Sequence, residues 1–321
     1  MVQADQLSRP KPRKRSPRPA GTVLGWPATV IFLAPAVIIF AVFVLLPMIT
    51  AFSYSFFDWQ GTARGAFSGI ENFFTLFTAE PFKSDLPRAL MHNLLLFAGA
   101  MVFQNTVGLA IASFLYKRKR FKKLFQTLYT LPYLVSPLVI GYLWTLLLSP
   151  LFGPVNALLK AIGLGELAQP WLGQPSTALW VIVLVTAWQW LGFPILLYGA
   201  ALGGIPEELT EAASLDGATA WQRFRSITLP LLTSAIGTVS ILTFIGSMEA
   251  LALPYAMGGS TGSPAGATDV LSLMFYRTAF ESGASNAIGV SSALATMMFI
   301  FIFGVALAFT SIIRRRERKL S

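Results

Sequence analysis

Apolar residues run in long stretches along this chain, and polar residues gather in the gaps between them. An α-helix rises 1.5 Å per residue, so about 20 apolar residues cross the roughly 30 Å of hydrocarbon in a bilayer. Six stretches reach that length, near residues 27–49, 90–115, 124–148, 177–201, 228–252 and 288–312. The pattern predicts an all-α integral membrane protein with six transmembrane helices. The first stretch follows a basic region, as the core of a signal peptide does. It is too long for one and lacks a small-residue cleavage site, so it reads as a retained helix.

The gaps divide the chain into parts. Residues 1–25 form a Pro-, Arg- and Lys-rich tail without periodicity, the composition of a segment that buries too little apolar surface to fold. Residues 26–89 hold the first span and an outer loop, 90–313 hold the other five spans with a polar loop at 203–230, and 314–321 close the chain with basic residues. The outer segments 50–89, 150–176 and 257–287 carry aromatic and turn residues such as Trp59, Gly153 and Gly258. Two readings of them stand: the mouth of a pathway, or connectors packed on span ends.

Composition strengthens the membrane reading and charge orients it. Hydrophobic residues make up 55% and charged ones 12% of the 321, with a mean hydropathy of +0.64. Nineteen of the 24 Lys and Arg lie on one side: Arg9 to Arg18, Lys117 to Lys123, Arg223 with Arg225, and Arg314 to Lys319. The other side keeps Arg64, Lys83, Arg88, Lys160 and Arg277. By the positive-inside rule, both termini and the polar loop are cytoplasmic. The net charge of +10 does not call for nucleic acid. The basic clusters flank spans, where attraction to anionic membrane lipids accounts for them. With no Cys at all, disulfides and thiol chemistry are excluded.

The polar loop has a pattern of its own. Pro206, Glu207 and Glu208 read as a helix start, since Pro suits the first turn and acidic residues complement the helix dipole there. Leu209, Ala212, Ala213 and Leu215 give a short apolar surface, and Asp216 with Gly217 ends the helix. A second helix from about Thr219 to Ser226 puts Trp221 and Phe224 three residues apart on one face. Such an elbow either fits a partner's groove or folds back on its own bundle.

The spacing Glu211-Ala212-Ala213, three residues, Gly217, nine residues, Ile227, one residue, Leu229-Pro230 resembles the cytoplasmic signature loop of ABC-importer permeases. Phe125, Leu131, Pro132, Tyr133, Trp144, Gly153, Asn156, Trp171, Trp188, Gly192, Phe193 and Ile205 to Leu209 narrow the likeness to the sugar-importer branch similar to the maltose permeases. It spans about residues 26–313. The resemblance implies the type I ABC-importer permease fold in a bacterial or archaeal cell membrane. It also implies a complex with a second homologous permease subunit, two cytoplasmic ABC ATPase subunits and an extracytoplasmic solute-binding protein. The loop would then be a coupling helix docked on the ATPase. Glu211 would pair with a basic group there, Gly217 would allow the bend, and Leu229 and Pro230 would set the entry into the fifth span. Ala212, Ala213, Asp216 and Ile227 belong to the same coupling surface. ATP and Mg would be held by the ATPase partners, since this chain lacks a GxxxxGK[ST] phosphate loop. No catalytic residue, metal ligand or cofactor of its own is expected.

A sugar pathway needs aromatic faces and hydrogen-bonding groups. Trp188, Gln189 and Trp190 supply them in the fourth span, and Ser240, Thr243, Phe244 and Ser247 share one face of the fifth. Helix packing by small and hydroxyl residues is the alternative. Glu249, near the end of a span, either contacts solute or is a solvated interfacial carboxylate. Where sugar permeases often carry Phe-Asp ahead of Thr-x-Gly-Gly-Pro, this chain has Glu249-Ala250 ahead of Ala256 to Ser260. The solute thus stays open between a sugar or oligosaccharide and glycerol phosphate or another polyol-like compound. His92, Asn93, Gln104 and Asn105 read as interhelical hydrogen bonders. An ion-coupled secondary transporter fits poorly, because five of the six spans lack any acidic residue. An intramembrane enzyme lacks a base beside a nucleophile.

Overall fold

The computed structural model describes residues 26–116 and 122–320, so the basic tail and Lys117 to Arg120 lie outside the described residues. Contacts divide the chain between Thr50 and Ala51. The first unit holds α1 (Trp26–Phe40), a π-helical turn (Ala41–Leu45) and the start of α2 (Leu46–Tyr54). This helix is apolar on every side and its most hydrophobic window has no buried residue, the surface expected of a helix solvated by lipid.

The second unit opens with a hairpin, β1 (Phe57–Gln60) and β2 (Ala63–Phe67), antiparallel with Trp59 opposite Arg64. After α3 (Glu71–Thr78), α4 (Phe82–Phe103) runs through a π-helical turn into α5 (Leu109–Tyr116). There follow α6 (Lys122–Leu134), α7 (Pro137–Leu147), α8 (Pro154–Ala161), α9 (Pro175–Gln189) and α10 (Gly192–Gly203). The polar loop contains α11 (Glu207–Leu215) and α12 (Ala220–Arg223), and a π-helical turn leads to α13 (Leu229–Leu231). The chain closes with α14 (Thr233–Met248), α15 (Ala252–Gly258), α16 (Leu271–Tyr276) and α17 (Ala287–Leu320).

Among the described residues, three helices are long and apolar enough to cross a membrane unbroken: Thr29–Tyr54, Phe82–Tyr116 and Ala287–Arg315. The continuous stretches expected at 124–148, 177–201 and 228–252 are each two helices instead. α6 and α7 meet at 95°, α9 and α10 at 42°, and the helix ending at Leu231 meets α14 at 63°. The candidate spans number up to six if each bent pair is one. Hydropathy does not register such breaks, but local chemistry does. Ser136, extended at ψ 131°, precedes Pro137, and a residue before proline avoids the helical region. Pro194 lacks the N–H that would continue the helix across Trp190 and Leu191.

A broken helix in hydrocarbon leaves backbone groups that only protein can satisfy. The buried Gln189, at the end of α9, donates through Nε2 to the carbonyl of Val135 in the α6–α7 break at 3.0 Å. One break thereby serves the other. Buried Asn93 does the same at the end of α14, donating to Ser247 O at 2.7 Å and accepting from Leu271 N at 2.9 Å. Gln104 accepts from Thr243 at 2.8 Å, and Asn105 accepts from the Tyr198 hydroxyl. Gly192 lets backbone approach backbone: a Cβ there would stand 2.7 Å from Tyr129 O and 2.8 Å from Thr130 Cα.

Toward the segment between α15 and α16, half-buried charges gather around one fully buried carboxylate. Asp269 is fully buried and receives both terminal nitrogens of Arg277, at 2.8 and 3.2 Å. Arg277 also donates to Ser260 O at 2.7 Å and lies 3.5 Å from Asp85, which pairs with Arg88 at 2.5 Å. His92 Nδ1 lies 2.7 Å from the Asp269 carbonyl oxygen. Hydrogen bonding to Asp269 raises the Arg277 pKa above its ordinary value, against the opposing effect of burial. The guanidinium therefore stays charged at any working pH. Arg277→Met would leave Asp269 buried without its counter-charge and is expected to cost about 3–5 kcal/mol. Arg277→Met with Asp269→Leu should recover much of that loss, as read from thermal unfolding of the purified protein.

Candidate coupling loop and solute cavity

The polar loop folds as a self-contained elbow. Pro206, extended at ψ 129°, leads into α11 with Glu207 and Glu208 in the first turn. Thr210 and Ser214 bond back to the carbonyls of Glu207 and Thr210, each at 2.8 Å. The chain then turns at Gly217, φ +79°, where Gly217 N reaches Ser214 O at 3.1 Å and Ala218 N reaches Ala213 O at 2.9 Å. A Cβ on Gly217 would meet nothing within 4 Å. Glycine is thus required there for backbone conformation and not for space.

α12 starts with a capping box: Gln222 N donates to Thr219 Oγ1 at 3.3 Å, and Thr219 N donates to Gln222 Oε1 at 2.7 Å. Each bond satisfies an N–H that the helix start would leave free. Arg223 reaches back across the bend to donate to Ser214 Oγ. Trp221 and Phe224 stack with centroids 5.7 Å apart, close to the arrangement expected from their spacing.

Outward, the elbow presents Leu209 (45% exposed), Leu215 (90%) and Trp221 (66%), with Glu211, Ala212 and Asp216 also exposed. A connector folded on its own bundle would bury those apolar groups. Glu211 has no ion pair among the described residues. Ala213, Ile227, Leu229 and Pro230 are half-buried, and Leu229 and Phe224 pack on the core around Tyr198, Leu202 and Leu232. The elbow is therefore fastened at its return limb and open along α11.

Between the helix breaks lies a cavity of about 270 Å³, lined by Gln104, Tyr133, Thr186, Trp190, Phe193, Thr243, Ser247 and Glu249 among others. Tyr133 stands edge-on to Trp190 at 5.3 Å and tilted to Phe193 at 6.3 Å. Trp190, Thr243, Ser247 and Glu249 of the expected pathway residues line it, and the other four do not. Trp188 packs edge-on against Trp144 at 5.7 Å, and Gln189 is occupied with Val135. Ser240 is buried and bonds to Ile236 O at 2.7 Å, while Phe244 is buried against Phe97 at 5.3 Å. One helical face was expected to carry Ser240 and Phe244 with Thr243 and Ser247. The tight packing of α14 on α4 and α17 takes the first two into the core instead. Thr186 lines the cavity without any mark in the sequence, and Gln104, Tyr133 and Phe193 join the lining although the sequence singles them out for other reasons. Pro132, Pro137 and Pro194 carried the missing signal, because a proline-broken span marks where a membrane protein opens its interior.

The chain belongs to the binding-protein-dependent transport system inner membrane component family, which it matches over residues 104–319. It is 34% identical over 280 residues to the probable ABC transporter permease protein YurN of Bacillus subtilis, covering 86% of this chain and 92% of that one. It is 32% identical over 299 residues to the lactose transport system permease protein LacF of Rhizobium radiobacter, covering 92% and 95%. A solved bacterial ABC transporter involved in the import of the acidic polysaccharide alginate contains a chain matching at TM-score 0.74 and 25% identity, over 89% of this chain and 95% of that one. A second structure of the alginate transporter, in complex with an alginate pentasaccharide-bound periplasmic protein, matches equally at TM-score 0.74. The type I ABC-importer permease fold expected from the loop is the fold observed.

Thr219→Ala removes the capping box and is expected to destabilise α12 by about 1 kcal/mol. Amide exchange at Gln222 and Arg223 should quicken roughly fivefold, with α11 unchanged.

Proposed function

We propose that this chain is a permease subunit of an ATP-driven, binding-protein-dependent importer for a sugar or oligosaccharide. The observation that carries the reading is the exposed elbow: two short helices bent at Gly217, presenting Leu215 and Trp221 with nothing of the described chain covering them. The elbow is the coupling element, on the cytoplasmic side together with both termini, as the positive-inside rule argues. Two ABC ATPase subunits bind ATP and Mg, a second homologous permease completes the membrane portion, and an extracytoplasmic solute-binding protein delivers the solute. The lactose permease LacF and the alginate importer with its sugar-bound periplasmic protein support a carbohydrate solute. Membership in a binding-protein-dependent family argues against ion-coupled transport.

The mechanism follows from rigidity. Closure of the ATPases moves α11, with Glu211 paired to a basic group of the ATPase. The tie from Arg223 to Ser214 carries that movement across the bend, and Leu229 and Pro230 pass it into the bent span that ends in α14. Spans joined this way shift as bodies. The solute passes the cavity walled by Tyr133, Trp190, Phe193 and Thr243, where rings face a sugar's apolar side and polar groups meet its hydroxyls.

Gly217→Val forces a β-branched residue into the left-handed region, at a cost of about 1–2 kcal/mol. ATP hydrolysed per solute imported by the reconstituted complex is expected to rise several-fold, and an unchanged ratio would remove the coupling role. Glu211→Ala is expected to weaken assembly with the ATPase by roughly 1–3 kcal/mol, the range for a charged hydrogen-bonded contact. Titration of the ATPase onto the permease in nanodiscs measures it, and equal affinity would rule that contact out.

A further inference from the structure

Glu249 is a carboxylate the fold does not explain. It is the C-cap that follows Met248 at the end of the 16-residue α14, where the helix dipole already disfavours negative charge. Among the described residues it makes no ion pair, and its side chain takes no hydrogen bond. Its exposed side chain borders two spaces at once. One is the aromatic cavity between Trp190 and Thr243. The other is a groove of about 410 Å³ along Phe275, Met298 and Phe303. Among the described residues, Glu249 is the only charged one lining either of them. Fixed charge in a space with apolar walls acts on anything entering it more strongly than it would in water.

We propose that Glu249 is a charge filter at the meeting of these two spaces, admitting solutes that present hydroxyl or ammonium donors and rejecting those that carry carboxylate or phosphate. The inference rests on reading the aromatic cavity as the solute route. Within that route it selects a neutral or amino-bearing sugar, and it turns away uronates and the glycerol phosphate that the sequence alone left open. A carboxylate accepts from every O–H or N–H donor and has none to offer an anion. Specificity of this kind comes from the repulsive element as much as from the attractive one.

The chain contains no cysteine, so a Thr243→Cys variant places a single thiol in the cavity. The variant is assembled with cysteine-free partners in nanodiscs, and its thiol is reacted with methanethiosulfonates of equal size, one bearing an ammonium and one a sulfonate. The ratio of cationic to anionic labelling rates is then compared with that after adding Glu249→Gln. The filter predicts that this isosteric change lowers the ratio roughly tenfold, as removing one nearby charge in a partly desolvated space requires. An unchanged ratio at a thiol that labels freely overturns the filter and leaves the cavity as an aqueous route. A thiol that reacts in denatured protein but with neither reagent in the intact complex overturns the route and the filter together.

Discussion

The interior of this protein depends on the hydrogen bond from Gln189 to the carbonyl of Val135. Each of these residues sits beside a break in a bent pair of helices, in a setting where no bulk water completes a backbone. Left apart, each break would strand polar groups at a cost of about 1–3 kcal/mol apiece. Brought together, the Gln189 amide nitrogen satisfies the Val135 carbonyl and fixes the distance between the two breaks, while Gln189 Oε1 finds no partner among the described residues. Gly192 closes the approach, with its α-carbon against the backbone of Tyr129 and Thr130. The aromatic cavity follows from that contact, because Tyr133 comes from one break and Trp190 and Phe193 from the other.

The elbow at 206–230 obeys the opposite rule. Its bonds are local: Ser214 to Thr210, Thr219 to Gln222, Arg223 to Ser214. None spans more than nine residues, so the bend itself is closed locally, and distant parts of the chain hold only its return limb, through Phe224 and Leu229. That independence leaves its outer face free, and Leu215 and Trp221 remain uncovered. The charges around buried Asp269 bind instead through long separations in sequence, Asp85 and His92 from α4 to Arg277 and Asp269 beyond α15.

Much of this was legible from residues alone, and the limits are physical. The apolar stretches announced a membrane protein because hydrocarbon demands length and hydropathy, and little else resembles that. The elbow was legible because Gly217, Pro206 and the acidic first turn are local signals acting on local geometry. Of the four residues read as interhelical bonders, Asn93, Gln104 and Asn105 each make or accept such a bond, while His92 meets the Asp269 carbonyl in the segment ahead of α16. The bends were not read, since hydropathy sums over Pro137 and Pro194 without registering the missing N–H. The cavity lining then went astray in turn: a straight fifth span puts Ser240 and Phe244 beside Thr243. In the folded chain, Phe97 and Phe309 draw Phe244 into the core. Face assignment on a helix packed on several sides depends on neighbours that periodicity does not name.

Under the proposed function, these two kinds of bonding decide what moves. Separating the α6–α7 pair from the α9–α10 pair would strand Val135 and Gln189 in hydrocarbon and open the packing at Gly192. Those four helices therefore travel as one body. α14 joins the opposite wall of the cavity through Thr243 on Gln104 and through Asn93 at its end, both bonds to the long helix beginning at Phe82. A push delivered at the elbow reaches α14 through Leu229 and Pro230, at a 63° bend that, among the described residues, no such cross-bond ties to another break. The long helix is bonded to the four-helix body too, Tyr198 to Asn105, so a push on α14 falls on the wall it shares with that helix. Trp190 and Thr243 face that cavity from the two parts, so the walls that would hold a solute are the surfaces on which the motor would act.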